Sequence, residues 1–479
     1  MELNCSLLGP GFERVVEEAI HAVEPVANAG IAIAVIKDGQ LCFAGGVGLR
    51  DRNHGKKVDA HTCFAIGSAT KAFTSMAISM HVEEGNIDLN VPVKQYLPDF
   101  KMKDTAVANQ MTLLDILSHR TGLPRNDALW YLGPFSRSEL FYRLQYLDLV
   151  PGAFGNAFLY NNMMYMVAGN LLENLFGTSW EDTVKARILD PLGMTATCFS
   201  LADLLDRPNH AKAYVRQHEI PLKDFNNIGP AGEINSTAQD MAKWVLLFLN
   251  KGVARISGAE IISPAALEKM YTGLTDIGDG TKYGLGWIVG AIDGKRLVFH
   301  QGDADGSAAY VSFMPDDGLG VVVLTNQHCT PDLIDKWPDQ ISTRIYDFLL
   351  NDQLTGRVKI PRRLSNGGDA PGAAPAVAAG PAAAPPPIQS PGDYTGMFSH
   401  PAYGDITVSR SAGDLKLSYY SSSWPLHPSP TGGFTFDLYA FGAVRQPAVT
   451  FSRTATGDVD TLGLLFDPRL IVPVPFTKR

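Results

Sequence analysis

Ser68 and Lys71 stand three residues apart in Phe64-Ala65-Ile66-Gly67-Ser68-Ala69-Thr70-Lys71. This stretch closes an extended run and opens an apolar segment, Ala72 to Val82, that ends at Glu83-Glu84-Gly85. The segment reads as a buried helix with Gly85 at its C-terminal stop. Ser68 then falls at the helix start, where orphan backbone N–H groups and the positive end of the dipole suit a developing anion. At a spacing of three, the Lys71 amine shares a helix face with the Ser68 hydroxyl. A serine is a weak nucleophile until a base takes its proton. A lysine is that base only if its amine is neutral, so desolvation or a second cation must lower its pKa from about 10.4. A lysine on an otherwise apolar helix meets the first condition. The same tetrapeptide also reads as an N-cap serine followed by a surface lysine.

Two further short patterns carry chemistry. Tyr160-Asn161-Asn162 precedes a helical pattern from Met163 to Phe176, and His300-Gln301-Gly302 ends a strand-like run. A tyrosine hydroxyl near Lys71 and the substrate's leaving atom can relay a proton. The Asn162 amide can hold the lysine and a substrate carbonyl, and His300 can orient the leaving group or the tyrosine. The N–H after Gly302, that of Asp303, can pair with the Ser68 N–H as an oxyanion hole. Each pattern alone is expected about once by chance in a chain this long. Each occurs once, in the order Ser, Tyr, His. His119, in the loop Ser118-His119-Arg120, reads as structural rather than catalytic. Trp130 and Tyr131 either line an acyl pocket or pack, and Trp287 reads as core.

The elements that must position these residues follow from the rest of the chain. Its 479 residues suffice for two or three domains, and 45% hydrophobic with 19% charged content is that of a globular protein with a large core. The net charge of −9 without a basic run argues against nucleic acid or an anionic membrane surface as partner. Cys5, Cys42, Cys63, Cys198 and Cys329 are scattered, odd in number and without metal-site spacing. Cys63 reads as packing. The start, Met-Glu-Leu-Asn-Cys, has no signal-peptide pattern and no run is long enough to span a membrane, so a soluble, cytoplasmic protein is expected.

Helical patterns cover 12–26, 112–117, 136–147, 163–176, 237–250 and 337–350, with Asp240 and Lys243 on the polar side of the fifth. Two apolar runs around Lys37-Asp38-Gly39-Gln40 predict a hairpin. Runs at 283–290, 297–300, 308–314 and 320–326 predict strands. Strands at both ends with helices between them predict an α/β (α+β) sandwich: one antiparallel sheet built from both termini, helices on both sides, and an all-helical subdomain. Residues 366–391 are almost all Gly, Ala and Pro and read as a semi-rigid linker. Residues 392–479 are rich in β-formers and turns, with seven acidic and seven basic side chains, and read as a small all-β domain. That leaves 1–365 for the main domain.

Taken together, the chain resembles the serine β-lactamase and penicillin-binding-protein superfamily, in the class C β-lactamase-related branch with D-aminopeptidases, esterases and acyltransferases. The resemblance spans roughly residues 10 to 350. Ser68–Lys71 matches S-x-x-K, Tyr160 and Asn162 match Y-x-N, and His300-Gln301-Gly302 stands where related enzymes carry K-T-G. Leu114 to Pro124, Pro230 to Thr237, Tyr283 to Trp287 and Val321 to Asn326 are also family-like. The tail from Asp393 resembles the lipocalin-like domain that some members append. The resemblance implies cofactor-free acyl transfer: Ser68 forms an acyl-enzyme, Lys71 takes its proton, and Tyr160 passes a proton to the leaving group. Implied catalytic residues are Ser68, Lys71, Tyr160, Asn162 and His300, with Gly302, Asp303 and Asp305 near the oxyanion and substrate. In family members the lysine of K-T-G faces a substrate carboxylate. Here that position is His300, followed by Asp303 and Asp305; these two carboxylates either point to solvent at a strand end or face the site, and if they face it, carboxylate-ended substrates are expected to be poor ones. The expected activity is hydrolysis of amide or peptide bonds, including those of D-residues, or of esters. Acyl transfer or peptide cyclisation through the same acyl-enzyme is the alternative, and an inactive binding protein the second. The expected partner is a small-molecule or peptide substrate, and self-association into a homo-oligomer is compatible with the sequence.

Overall fold

A computed structural model describes residues 2–3, 8, 11–21, 29–278, 280–327, 338–356, 394–411, 414–430, 432–440, 443–466 and 473–479. Among them, nine strands form the first sheet: β1 (Glu2–Leu3), β2 (Ile31–Lys37), β3 (Gln40–Val47), β4 (Thr275–Gly278), β5 (Thr281–Tyr283), β6 (Ile288–Ile292), β7 (Lys295–Ala304), β8 (Ser307–Met314) and β9 (Leu319–Thr325). They lie in the order β1-β3-β2-β9-β8-β7-β6-β5-β4. The sheet is antiparallel, and the early and late strands of the first unit meet where Ile31–Lys37 pairs with Thr325–Leu319.

Helices that frame the site are α1 (Phe12–His21), α2 (Lys71–Glu83), α3 (Leu113–Leu117), α4 (Asn162–Phe176), α5 (Ala238–Leu249) and α6 (Asp339–Asn351). α1 and α6 cover one face of the sheet and α5 the other. This explains why β2 is apolar at six successive positions, Ile31 to Ile36, rather than alternating. Ile31, Ile33 and Val35 pack with Phe12 and Ile345, while Ala32, Ala34 and Ile36 belong to the core that contains Trp244 of α5. α2 is buried along nearly its whole length, so it has no polar face on which a lysine could reach water. Phe73 stacks on Trp244 there, with ring centroids 3.9 Å apart. α3 starts with a capping box, Thr112 with Asp115, and α4 starts with Asn161 as N-cap, its side chain accepting from the Met164 N–H.

Four expectations change. The run 283–290 is two strands, because the chain folds back at Gly284–Trp287, where the Gly284 N–H donates to the Trp287 carbonyl at 2.7 Å. β4 and β5 form a hairpin that the sequence pattern did not signal. Asp240 is buried rather than on a polar face; it accepts from the Ala196 N–H at 2.8 Å and pairs with Lys243 at 2.7 Å. β7 is also longer than 297–300, and carries His300 through Ala304 in one extended run.

The C-terminal residues form a second nine-stranded antiparallel sheet, barrel-like, from Gly396–His400 to Val474–Lys478 among the described residues. Phe398, Ile406, Leu417, Leu462 and Phe476 are buried in it. The expected linker at 366–391 lies outside the described residues. The second sheet packs on the helical part of the first unit. Arg143 donates to the carbonyls of Ala402 at 2.6 Å and Pro401 at 3.3 Å, and Phe135 meets Tyr420 edge-on at 5.4 Å. Among the described residues no helix is long and apolar enough to cross a membrane.

Candidate active site

Ser68 sits in a 3-10 turn, Gly67–Thr70, that runs directly into α2. Two supports fix this turn. The first is β7: a Cβ on Gly67, whose φ is +50°, would lie 2.6 Å from the Asp303 carbonyl oxygen, and one on Gly302 would lie 1.7 Å from the Ile66 carbonyl oxygen. Glycine is required at both, so the Ser68 turn and the Asp303 backbone touch. The second is the segment Pro230–Ile234. The Ile66 N–H donates to the Ile234 carbonyl at 3.0 Å, and Thr74 Oγ1 donates to the Pro230 carbonyl at 2.7 Å.

Lys71 is fully buried and its Nζ has three polar neighbours: Ser68 Oγ at 3.1 Å, Asn162 Oδ1 at 2.7 Å and the Ala231 carbonyl at 2.9 Å. Burial holds its pKa well below the usual lysine value; the Arg125 guanidinium lowers it further and Asp127 partly opposes. Lys71 Nζ also lies 4.6 Å from the centroid of the Tyr160 ring. The Tyr160 hydroxyl bonds to Ser68, and burial drives that phenol well above its ordinary value despite the opposing effects of Ser68 and Arg125. An amine whose charged form is disfavoured and a phenol that holds its proton therefore converge on one serine oxygen.

Asn162, the first residue of α4, joins Lys71 to a loop that sequence reasoning missed. Its Nδ2 donates to Asp127 Oδ1 at 3.4 Å. Asp127 is buried, pairs with Arg125 Nε at 2.6 Å and accepts from Trp130 Nε1 at 2.8 Å. Arg125-Asn126-Asp127 directly follows the family-like Leu114–Pro124 stretch. A charged pair placed there, in an otherwise apolar context, was the available signal.

His300 lies on β7 but both its nitrogens are engaged inside the protein. Nδ1 is 2.6 Å from the Gln301 carbonyl and Nε2 is 2.9 Å from the Tyr283 hydroxyl. The carbonyl can only accept, so Nδ1 carries the proton and Tyr283 donates to Nε2. Burial, with Lys71 adding to it, pushes the His300 pKa down to about 3, so the ring is neutral near pH 7. Its ring centroid is 6.4 Å from that of Tyr160. His119 is buried against Tyr160 with ring centroids 4.3 Å apart, and its Nδ1 accepts from the Asn161 N–H at 3.2 Å. Trp287 is buried.

A small pocket opens beside Ser68, lined by Trp130, Phe225, Gly232, Asp303 and Asp305. Asp305 is not turned to solvent: it is 9% exposed, and Tyr131 donates to its Oδ2 at 2.6 Å. Its Oδ1 is buried without a partner. The nearby Lys223 lines a neighbouring pocket that also reaches Asp305. Its amine donates to the Tyr131 carbonyl at 2.6 Å and lies 3.1 Å from the Tyr131 ring centroid. Burial lowers that amine to about 8, against the pull of Asp305. Of the two aromatic residues left open by the sequence, Trp130 lines the pocket and Tyr131 shapes Asp305.

The family model described as Beta-lactamase matches residues 20–343. An unguisins hydrolase of Aspergillus campestris is 28% identical over 483 residues, covering 92% of this chain and 87% of that protein. The octameric penicillin-binding protein homologue from Pyrococcus abyssi superposes with a TM-score of 0.60 at 21% identity, covering 95% of this chain and 98% of that one. A class C beta-lactamase from Rhodobacter sphaeroides superposes with a TM-score of 0.58 at 21% identity, covering 71% of this chain and 99% of that one.

Proposed function

The chain belongs to the beta-lactamase family, and on that premise we propose a serine hydrolase that opens amide, peptide or ester bonds through an acyl-enzyme on Ser68. The observation that carries this reading is the buried Lys71 amine, 3.1 Å from Ser68 Oγ, its charged form disfavoured by desolvation and Arg125. Lys71 takes the Ser68 proton as the oxygen attacks a carbonyl carbon. Tyr160 keeps its proton at neutral pH, so it serves as donor to the leaving amine or alcohol rather than as the first base. The N–H groups of Ser68 and Asp303, on backbones packed together at Gly67, receive the oxyanion. Asn162 keeps the Lys71 amine aimed. Lys71 hands the Ser68 proton to Tyr160, which restores both groups; water then attacks the acyl carbon and gives a proton to the Lys71–Tyr160 pair, which delivers it to Ser68 Oγ as the acyl bond breaks. The set of groups is complete, which disfavours an inactive binding protein. The relative named as a hydrolase spans both parts of this chain and favours hydrolysis over transfer.

Charge around the pocket narrows the substrate. His300 supplies no cation where a substrate carboxylate would be met. Lys223 is engaged by Tyr131 and lines the adjoining pocket. Asp305 instead offers an unpartnered carboxylate oxygen beside Ser68. Neutral acyl groups, or ones bearing a free amine, fit this pocket better than carboxylates. The test is labelling with a fluorophosphonate, then turnover of p-nitrophenyl esters and amino-acid p-nitroanilides, with and without an added amine acceptor. Label on Ser68, loss of labelling and turnover in a folded Ser68→Ala variant, and free-acid product are expected. A label on another serine overturns the assignment. A product carrying the added amine replaces hydrolysis by transfer.

A further inference from the structure

We propose that Tyr403, at the tip of the C-terminal sheet, is a positioning residue for the Ser68 site, acting through the Pro124–Asp127 loop. The inference rests on the reading of Ser68 and Lys71 given above. Tyr403 sits in the short connection between Gly396–His400 and Gly404–Ser411. It is 1% exposed, and its hydroxyl donates to Asn126 Oδ1 at 2.8 Å across the contact between the two sheets' units. The ring is held from behind: it stacks on Phe466 at 5.5 Å, and the Tyr403 carbonyl accepts from the Tyr419 hydroxyl at 3.0 Å. Tyr403 is therefore a rigid peg rather than a loose surface side chain.

What the peg holds is a tight loop. Asn126 has a φ of +49°, in the left-handed region that asparagine tolerates better than most residues, so its side chain is set by the turn it makes. Its Nδ2 donates to the Pro124 carbonyl at 2.8 Å, and that carbonyl also accepts from Asn161 Nδ2, the N-cap of α4, at 2.7 Å. The residues on either side of Asn126 carry the two charges that bear on Lys71. Arg125 lies 4.9 Å from the Tyr160 ring centroid, and Asp127 bonds to Asn162, which holds the Lys71 amine. The remaining ionisable groups facing Lys71 are Tyr160 and Tyr165, over whose rings the amine lies, and the neutral His119 and His300. None of these four belongs to the loop. A route of contacts thus runs from the C-terminal sheet to the base: Tyr403, Asn126, Asp127, Asn162, Lys71.

A purely mechanical docking role is the competing account. Arg143 separates the two, because it ties the same tip to the first unit through the Ala402 carbonyl without touching Asn126. The experiment measures the rate of fluorophosphonate labelling of Ser68 between about pH 5 and 10 in the full-length protein. It compares wild type, Tyr403→Phe, Asn126→Gly and Arg143→Met, each checked for folding by circular dichroism. Asn126→Gly keeps the left-handed backbone available and deletes only the side-chain contacts. Release of the loop frees Arg125 more than Asp127, because Asp127 keeps its own bonds to Asn162 and Trp130, so the repulsion of Lys71 by Arg125 weakens more than the attraction by Asp127. Lys71 then holds its proton to higher pH. Tyr403→Phe and Asn126→Gly should move the acid limb up by about half a unit, slowing labelling about threefold below it, and approach the wild-type rate at high pH. Arg143→Met should lower the melting temperature and leave the limb in place. Superposable profiles for wild type and Tyr403→Phe overturn the proposal while leaving the Ser68 assignment intact. An equal shift in Arg143→Met overturns it too, in favour of docking alone. Failure of wild type to label at Ser68 removes the underlying assignment and this inference with it.

Discussion

Arg125→Gln should raise the pKa of Lys71 by about one unit. Lys71 Nζ lies 4.6 Å and Arg125 Cζ 4.9 Å from the Tyr160 ring centroid, so the two cations are at most about 9.5 Å apart, within range of Coulomb repulsion. At an effective dielectric near 20, that separation corresponds to roughly 1.7 kcal/mol, or a little over one pKa unit. Removing Arg125 also strips Asp127 of its 2.6 Å ion-pair partner, and the uncompensated carboxylate favours the charged lysine further. Both effects have the same sign. The amine must be neutral to accept the Ser68 proton, so the acid limb of kcat/KM moves to higher pH and the rate below it falls about tenfold. A neutral p-nitrophenyl ester, which does not itself titrate, is the substrate for the measurement. His300 stays neutral throughout the useful range, since its pKa is pushed down to about 3, so it adds no limb of its own. An acid limb that stays put or moves down in a folded Arg125→Gln variant refutes the view that this guanidinium keeps Lys71 neutral.

Two further outcomes follow from the same geometry. Lys71→Ala and Tyr160→Phe should each remove most of the rate, and the double variant little more, because both groups handle the proton of one serine oxygen; fully additive losses in kcat/KM would mean independent roles. Asp305→Asn should erase about a tenfold preference for a substrate with a free amine over its acetylated twin, since it removes the carboxylate charge from the pocket lining; an unchanged ratio would place the Asp305 carboxylate outside substrate recognition.

Local rules in the sequence determined a good deal about this protein. The three-residue spacing of Ser68 and Lys71 on an apolar helix put an amine beside a hydroxyl, because one helical turn leaves little choice. The runs at both ends of the chain announced a sheet built from both termini, and Thr112, Asn161 and Thr237 marked helix starts that the structure retains. The Gly67 and Gly302 positions were legible as motif residues, though their reason was not: Gly67 makes room for the Asp303 backbone and Gly302 for that of Ile66. Tertiary structure alone decided the electrical state of the site. Whether Lys71 is neutral depends on burial and on Arg125, and whether His300 can carry charge depends on burial and on Lys71. Asp305, left between solvent and pocket by the sequence, was placed by Tyr131, and Tyr403 reaches Asn126 from the far end of the chain. Periodicity and spacing encode which side chains share a face within one element. Desolvation and Coulomb forces depend on distances between elements, and those are fixed only when the elements pack.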